Sequence, residues 1–467
     1  MTPIKTTAVG LLALSLAVMA LASCSKDSPT EPGAKSTPAV NPVKPNANAR
    51  IQMQSLIGNQ ASWSSIYEMR PAGPSGCGFR GWLDGHGVIG GLGASGNVQW
   101  YTRLPYTLRQ VVPLSATCSA PNGMLVVGKH DTDGDGASEL GYAWLFTSSG
   151  SMAQTELFSS DSSDVWVNGV AVISDSAFVV VGGERTAARA NPLVATIALT
   201  DDGRLAKRSC LVLTTMSNCM FTDVVLDPAG PSGGALTLIA ASSVDIGTNG
   251  AIKVHRVTVE YPGLTSATLD WSREIAGAGP SCATTDLLIS GDRLYVSGDT
   301  DDAAKSPPSS GGYWRSGLAA RLTLAGDLVW SSVVRLSDRS DRFDFVVPVH
   351  DEVYFMGDGA SFMKSNTKEI LGYGWIAKLA PATGELLANL TFGDDTYASG
   401  FNSGFYDGGK MYCGGTTHYE ISGESYQGWF CGIDVSGTMA SPAPLDSKPA
   451  AIGDRIGDFR RARDEVR

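Results

Sequence analysis

Turn positions recurring at intervals of 53 to 63 residues constrain this chain more than any other feature, falling near 96, 150, 203, 266, 326, 384 and 437. Most close a unit that starts on glycine, alternates for about nine residues and then turns. Gly141-Tyr142-Ala143-Trp144-Leu145 runs to Gly150, Gly317-Leu318-Ala319-Ala320-Arg321-Leu322 to Gly326, Gly374-Trp375-Ile376-Ala377-Lys378-Leu379 to Gly384, and Gly428-Trp429-Phe430-Cys431 to Gly437. Related hairpins surround Gly203 and Ser266, and an earlier one ends Gly96-Asn97-Val98-Gln99-Trp100. A unit this short cannot bury its own apolar face, so copies must stack on one another.

Between the turns lies a second motif, a short apolar run closing on glycine. It reads Leu125-Val126-Val127-Gly128, Val179-Val180-Val181-Gly182, Tyr295-Val296-Ser297-Gly298, Tyr354-Phe355-Met356-Gly357 and Tyr412-Cys413-Gly414, with Leu236–Ala240 as a degenerate copy. Such runs suit strands buried on both faces near a central channel. Four short strands per repeat at this period predict an all-β fold, a seven-bladed β-propeller, with six or eight blades as alternatives. The last hairpin has no inner strands after it. The N-terminal piece 62–91 has an inner-strand candidate, Gly87-Val88-Ile89-Gly90, and no hairpin before it. Strands from both ends of the chain are therefore expected to close the ring.

The turn segments Ile376–Gly384 and Leu324–Trp330 resemble the Leu-x-x-x-Gly-x-x-x-Trp strands of quinoprotein-type propeller repeats. The tryptophan is kept at three turns, Trp100, Trp271 and Trp330. Such repeats occur in quinone-dependent dehydrogenases and in the lipid-anchored propeller of the outer-membrane barrel-assembly machine. The resemblance implies the fold and says little of activity.

Before the repeats, Lys5 precedes an apolar run from Ala8 to Ala22, and Leu21-Ala22-Ser23 leads into Cys24. That run is too short to span a bilayer and reads as a secretory signal. It resembles a bacterial lipoprotein signal, which implies cleavage before Cys24 and lipidation there. An ordinary signal cut nearby is the alternative. Ser25–Arg50 carries Pro29, Pro32, Pro38, Pro42 and Pro45 and no aromatic residue, as expected of a disordered tether. Ser25, where aspartate would signal inner-membrane retention, implies an outer-membrane anchor facing the periplasm or the cell surface. The expected organisation is a signal over 1–23, lipidated Cys24 and tether over 24–50, the propeller over 51–445 and a charged tail over 446–467.

The net charge is −11, and removing 1–23 with Lys5 makes it one unit more negative. An acidic surface argues against nucleic acid and against electrostatic docking on anionic lipid.

One loop carries defined chemistry. Asp131, Asp133, Asp135 and Glu139 stand at positions 1, 3, 5 and 9 of Asp131-Thr132-Asp133-Gly134-Asp135-Gly136-Ala137-Ser138-Glu139. Alternate carboxylates with glycine at position 6 suit a structural Ca²⁺. The loop resembles the calcium loops of integrin-type propeller repeats; a solvated Asp-Gly turn is the plain alternative. Seven cysteines besides Cys24 permit Cys210–Cys219 or Cys413–Cys431 bridges in an exported protein. Cys118, Cys219 and Cys282 read as packing positions. Tyr313, Trp314 and Tyr426 fall at blade entries and are the candidate binding aromatics, whereas Trp375 and Trp429 read as packing between blades.

The five histidines are scattered, and neither a nucleophile elbow nor a phosphate loop is present. These readings favour a non-catalytic scaffold that binds an envelope protein or a polysaccharide. The alternative is a propeller enzyme, glycan-active or quinone-dependent.

Overall fold

The computed structural model describes residues 39–42, 51–57 and, with interruptions at several connections, 64–434. No helix occurs among them, and the strands form seven sheets, antiparallel but for one added parallel strand. Blade 1 spans 65–104, blade 2 107–158, blade 3 164–212, blade 4 219–275, blade 5 282–335, blade 6 340–392 and blade 7 399–434. The first strand of each blade packs beside the first strands of both neighbours, and blade 7 meets blade 1 through Ser399–Asp407 and Ser65–Pro71. The sheets therefore stand in a closed ring whose channel is lined by first strands.

Closure uses a different N-terminal segment from the expected one. Ile51–Ile57 pairs antiparallel with Gln427–Asp434 and supplies the fourth strand of blade 7. The piece 62–91 instead belongs to a complete blade of its own. Gly87–Gly90 lies in that blade's third strand, and Gly76–Leu83 is its second. Blade 7's own chain supplies three described strands, the last ending at Asp434. Four residues of the expected tether, Ala39–Pro42, run parallel to Leu328–Arg335 as an added strand on the rim of blade 5.

The apolar Gly-ending runs are second strands, one place out from the channel. They are apolar throughout because they are buried on both faces, each face packing on a different neighbour. Phe178 and Val180 join the cluster shared with blade 2, while Val179 and Val181 join the one shared with blade 4. The described core is accordingly not one mass but seven clusters, one at each junction between blades. Trp375 and Trp429 fill two of these junctions, stacking on Phe343 at 4.4 Å and Phe401 at 4.9 Å, as read from the sequence.

Each first strand also carries a β-bulge at the same place, opposite the end of the second strand. The seven bulges fall at Tyr67, Arg109, Asn168, Thr222, Thr285, Asp344 and Asn402. A bulge swings the preceding carbonyl toward the partner strand. A Cβ at Gly182 would lie 1.8 Å from the carbonyl oxygen of Trp166. The same position is Gly81, Gly128, Gly298, Gly357 or Gly415 in five other blades and Ser242 in blade 4. In blade 7 the matching glycine is Gly415, one residue beyond the glycine that ends the sequence motif.

Candidate functional site

The bulges form a polar collar around the channel. In blades 2, 3, 4, 5 and 7 a side chain at the bulge or just after it reaches the next blade. Asn168 Nδ2 donates to the Phe221 carbonyl at 2.8 Å, Asn402 Nδ2 to that of Ile66 at 2.8 Å, and Thr285 Oγ1 to that of Phe343 at 2.7 Å. In blades 2, 4, 5 and 7 the residue after the bulge accepts a backbone amide of the next blade. Asp223 Oδ2 takes Leu287 N at 2.7 Å, Asp286 Oδ2 takes Val346 N at 3.0 Å, Ser403 Oγ takes Met69 N at 2.7 Å, and Gln110 Oε1 takes Val170 N. Each such residue satisfies a neighbour's main chain where a regular ladder cannot.

Inside the collar lies a cavity of about 310 Å³. Its wall is apolar on blades 3 to 5 (Val172, Val225, Leu288), with Arg70, Gln110 and Asp223 supplying polar groups. Arg70 Nε donates to Glu68 Oε1 at 3.0 Å, and its Nη2 lies 3.9 Å from Asp286 Oδ1. Arg80 takes the other oxygen of Glu68 at 2.9 Å. Burial pushes both aspartates up, Asp223 to about 6 and Asp286 to about 7, against the opposing pull of Arg70. Asp223 has both oxygens engaged, because Oδ1 accepts from Val224 N at 2.8 Å and Gln110 Nε2 at 3.1 Å.

A second cluster stands between blades 5 and 6, at the end of the ring where first strands begin and second strands finish. Arg342 Nε bridges Asp358 Oδ1 at 2.8 Å and Asp344 Oδ2 at 3.1 Å, and Arg315 is bonded to Asp299. Burial raises the Asp344 carboxyl well above the usual range; Arg342 opposes this and Asp358 adds to it. The buried Lys305 donates to Asp341 Oδ2 at 2.7 Å and to the Arg315 carbonyl at 2.6 Å, while Arg335 forks onto Asp302. These pairs tie the connection 302–314 to the entry of blade 6.

That same end carries the long connections 132–138, 306–313, 364–369 and 418–426, all of them joining second to third strands. The opposite end has short turns at 175–176, 291–292, 350–351 and 408–409.

Of the residues singled out from the sequence, Asp131, Glu139 and Trp314 fall on the long-connection end. Asp131 and Glu139 are register partners where the second and third strands of blade 2 part; Asp133 and Asp135 lie outside the described residues. Trp314 is half-buried and its carbonyl accepts from Asp302 N at 2.8 Å, whereas Tyr313 and Tyr426 lie outside the described residues, as does Cys24. Cys210 and Cys219 are free thiols on the outermost strand of blade 3 and the channel strand of blade 4. Among the described residues no three His, Cys, Asp or Glu side chains converge as metal ligands.

Sequence reading missed the collar. Its trace is a pattern offset by one blade, Phe221-Thr222-Asp223-Val224-Val225 against Thr284-Thr285-Asp286-Leu287-Leu288 and Phe343-Asp344-Phe345-Val346-Val347. Hydrophobic alternation hides it, because a bulge breaks the period of two.

No protein-family model matches this chain, and no curated protein does. Among solved structures, a catalytically inactive virginiamycin B lyase from Staphylococcus aureus with quinupristin is 11% identical, over 81% of this chain and 98% of that one, with a TM-score of 0.46. Trypanosoma rangeli sialidase in complex with sialic acid is 10% identical over 85% and 60%, with a TM-score of 0.42. Drosophila Plexin A in complex with Semaphorin 1b is 8% identical over 88% and 96%, with a TM-score of 0.41. Likeness at this level has no bearing on what the present chain does.

Proposed function

We propose that this chain is a lipid-anchored β-propeller of the cell envelope that binds a protein or polysaccharide partner and performs no chemistry itself. The observation that carries this reading is how the channel carboxylates are used. Asp223 and Asp286 accept backbone amides of the next blade, Glu68 is held by two arginines, and Arg342 bridges Asp344 and Asp358. A glycan-active or quinone-dependent site needs groups free to exchange protons with a substrate. Asp223 and Asp286 are occupied in joining one blade to the next, and Glu68, Asp344 and Asp358 in ion pairs with arginines of their own blades.

The long connections on one end offer the binding face, with Trp314 beside them and Tyr313 and Tyr426 within them. Asp131, Asp133, Asp135 and Glu139 would hold one structural Ca²⁺ there; the pairing of Asp131 with Glu139 brings the two ends of that loop together. Cys24 would carry the lipid, placing the propeller at the outer membrane.

The test is native mass spectrometry of detergent-extracted protein with and without a calcium chelator, followed by capture of partners from envelope extract. An acylated mass, one chelator-sensitive calcium and a partner lost when 307–312 and 419–425 become Gly-Ser linkers are expected. The partner should survive charge reversal at Asp175 and Asp292, on the opposite end. Turnover of an envelope polysaccharide or a co-purifying quinone would replace this reading with the enzyme.

A further inference from the structure

We propose that Cys413 and Cys431 form a disulfide that fastens the closing blade. The two residues are direct register partners on the second and third strands of blade 7. Residues opposite one another in an antiparallel pair project from the same face, with Cβ atoms about 4.5–5.5 Å apart, close to the separation of about 3.5–4.5 Å that a disulfide spans. Both are free thiols in this structure and both side chains are fully buried. Their flanking pair, Met411 with Ile433, faces the same apolar cluster shared with blade 6.

No other two described cysteines are register partners. Cys219 Sγ instead donates to the Met216 carbonyl and Cys282 Sγ to Thr300 Oγ1.

Position gives the link its purpose. Gln427–Asp434 is the joint between the two ends of the chain, with Lys410–Thr417 on one edge and the N-terminal strand Ile51–Ile57 on the other. Cys431 pairs with Cys413 on the first side and with Gln54 on the second. A covalent bond to the second strand keeps Gln427–Asp434 in register on that side even when the N-terminal strand peels away.

The chemistry is thiol–disulfide exchange with a disulfide-bearing thiol oxidant. One cysteine thiolate attacks the oxidant's disulfide to give a mixed disulfide. The second thiolate displaces the carrier, which leaves as a dithiol holding the two electrons and two protons that the cysteines lost. Burial drives the Cys413 thiol far up and removes any path for the carrier, so exchange belongs to folding, before blade 7 packs on blade 6. Once the ring is shut, the same burial shields the bond from reductants.

The test is acid quenching of the full-length protein, alkylation without reductant and peptide mapping. Trypsin releases a peptide beginning at Met411 that holds Cys413, Cys431 and no other cysteine. The expected peptide is unalkylated and lighter by two hydrogens, and cleavage after Glu420 leaves two fragments joined until reductant is added. A doubly alkylated peptide, both from envelope-derived protein and after refolding with oxidised glutathione, would overturn the proposal. As a second readout, reductant added to unfolded protein before refolding should lower the Tm of the wild type and leave the Cys413→Ala/Cys431→Ala double variant unmoved. Equal insensitivity of both would also overturn it.

Discussion

Asp286 illustrates how a single side chain can be both a fastener and a weakness. Its carboxylate accepts Val346 N, yet burial beside Asp223 holds its protonation near pH 7 against an ordinary value of about 3.9. A carboxyl raised on folding takes up a proton more readily in the native state. Its stabilising effect is full below the unfolded value and is lost as pH rises through about 7. Thermal melting between pH 5 and 8 should therefore show Tm falling with pH, and Asp286→Asn, which keeps an acceptor for Val346 N, should flatten that fall. His255 has the opposite sign. Its Nε2 bonds Ser242 Oγ at 2.8 Å, and burial depresses it to about 4. Stability from this group is full above pH 6.5 and lost as pH drops toward 4, by roughly 3 kcal/mol. His255→Gln should shallow the acid limb of the same melting curve. Lys305 gives a third case, since truncation to alanine leaves Asp341 buried without its cation at a cost of about 3–5 kcal/mol. Chemical denaturation should read that as a lower midpoint with an unchanged m-value.

At the scale of the strand, the bulge joins motif, packing and channel. The glycine late in most second strands was plain in the sequence, but its reason was not. Gly182 is small because a bulged first strand turns the Trp166 carbonyl onto it, and that bulge in turn lets Asn168 reach the next blade. Gly182→Ala drives a methyl into backbone and should cost several kcal/mol, well above the usual cost of an added methylene. Asn402→Ala removes the bond to the Ile66 carbonyl across the closing junction and should cost about 1–3 kcal/mol. Both effects are measurable by urea unfolding. If Gly182→Ala left stability unchanged, the close approach described for that position would be wrong.

The ring as a whole depends on a strand that comes from the far end of the chain. Deleting 51–57 removes the fourth strand of blade 7 and exposes the edge of Gln427–Asp434. An open edge of this kind recruits other strands. The shortened protein should therefore unfold at lower temperature and sediment as oligomers, whereas deletion of 1–38 should leave it monomeric. Both outcomes can be read in one sedimentation-velocity series.

Repeat period, blade number, all-β class and buried tryptophans were legible in the amino-acid sequence, because hydrophobic alternation and turn glycines are local properties that recur with each copy. Closure was only half legible: that strands from both chain ends close the ring was evident, but not that the last repeat lacks its fourth strand or that Ile51–Ile57 supplies it, since pairing between chain ends leaves no mark within either segment. The collar was decided by tertiary structure alone. The Glu68–Arg70 strand, Asp223, Asp286 and Asn402 are far apart in the chain and share one channel only because seven first strands stand around one axis. The hydrogen bonds of Asp223, Asp286 and Asn402 run between blades, so the physical reason for each lies about one repeat further along the chain, or, for Asn402, at the chain's opposite end.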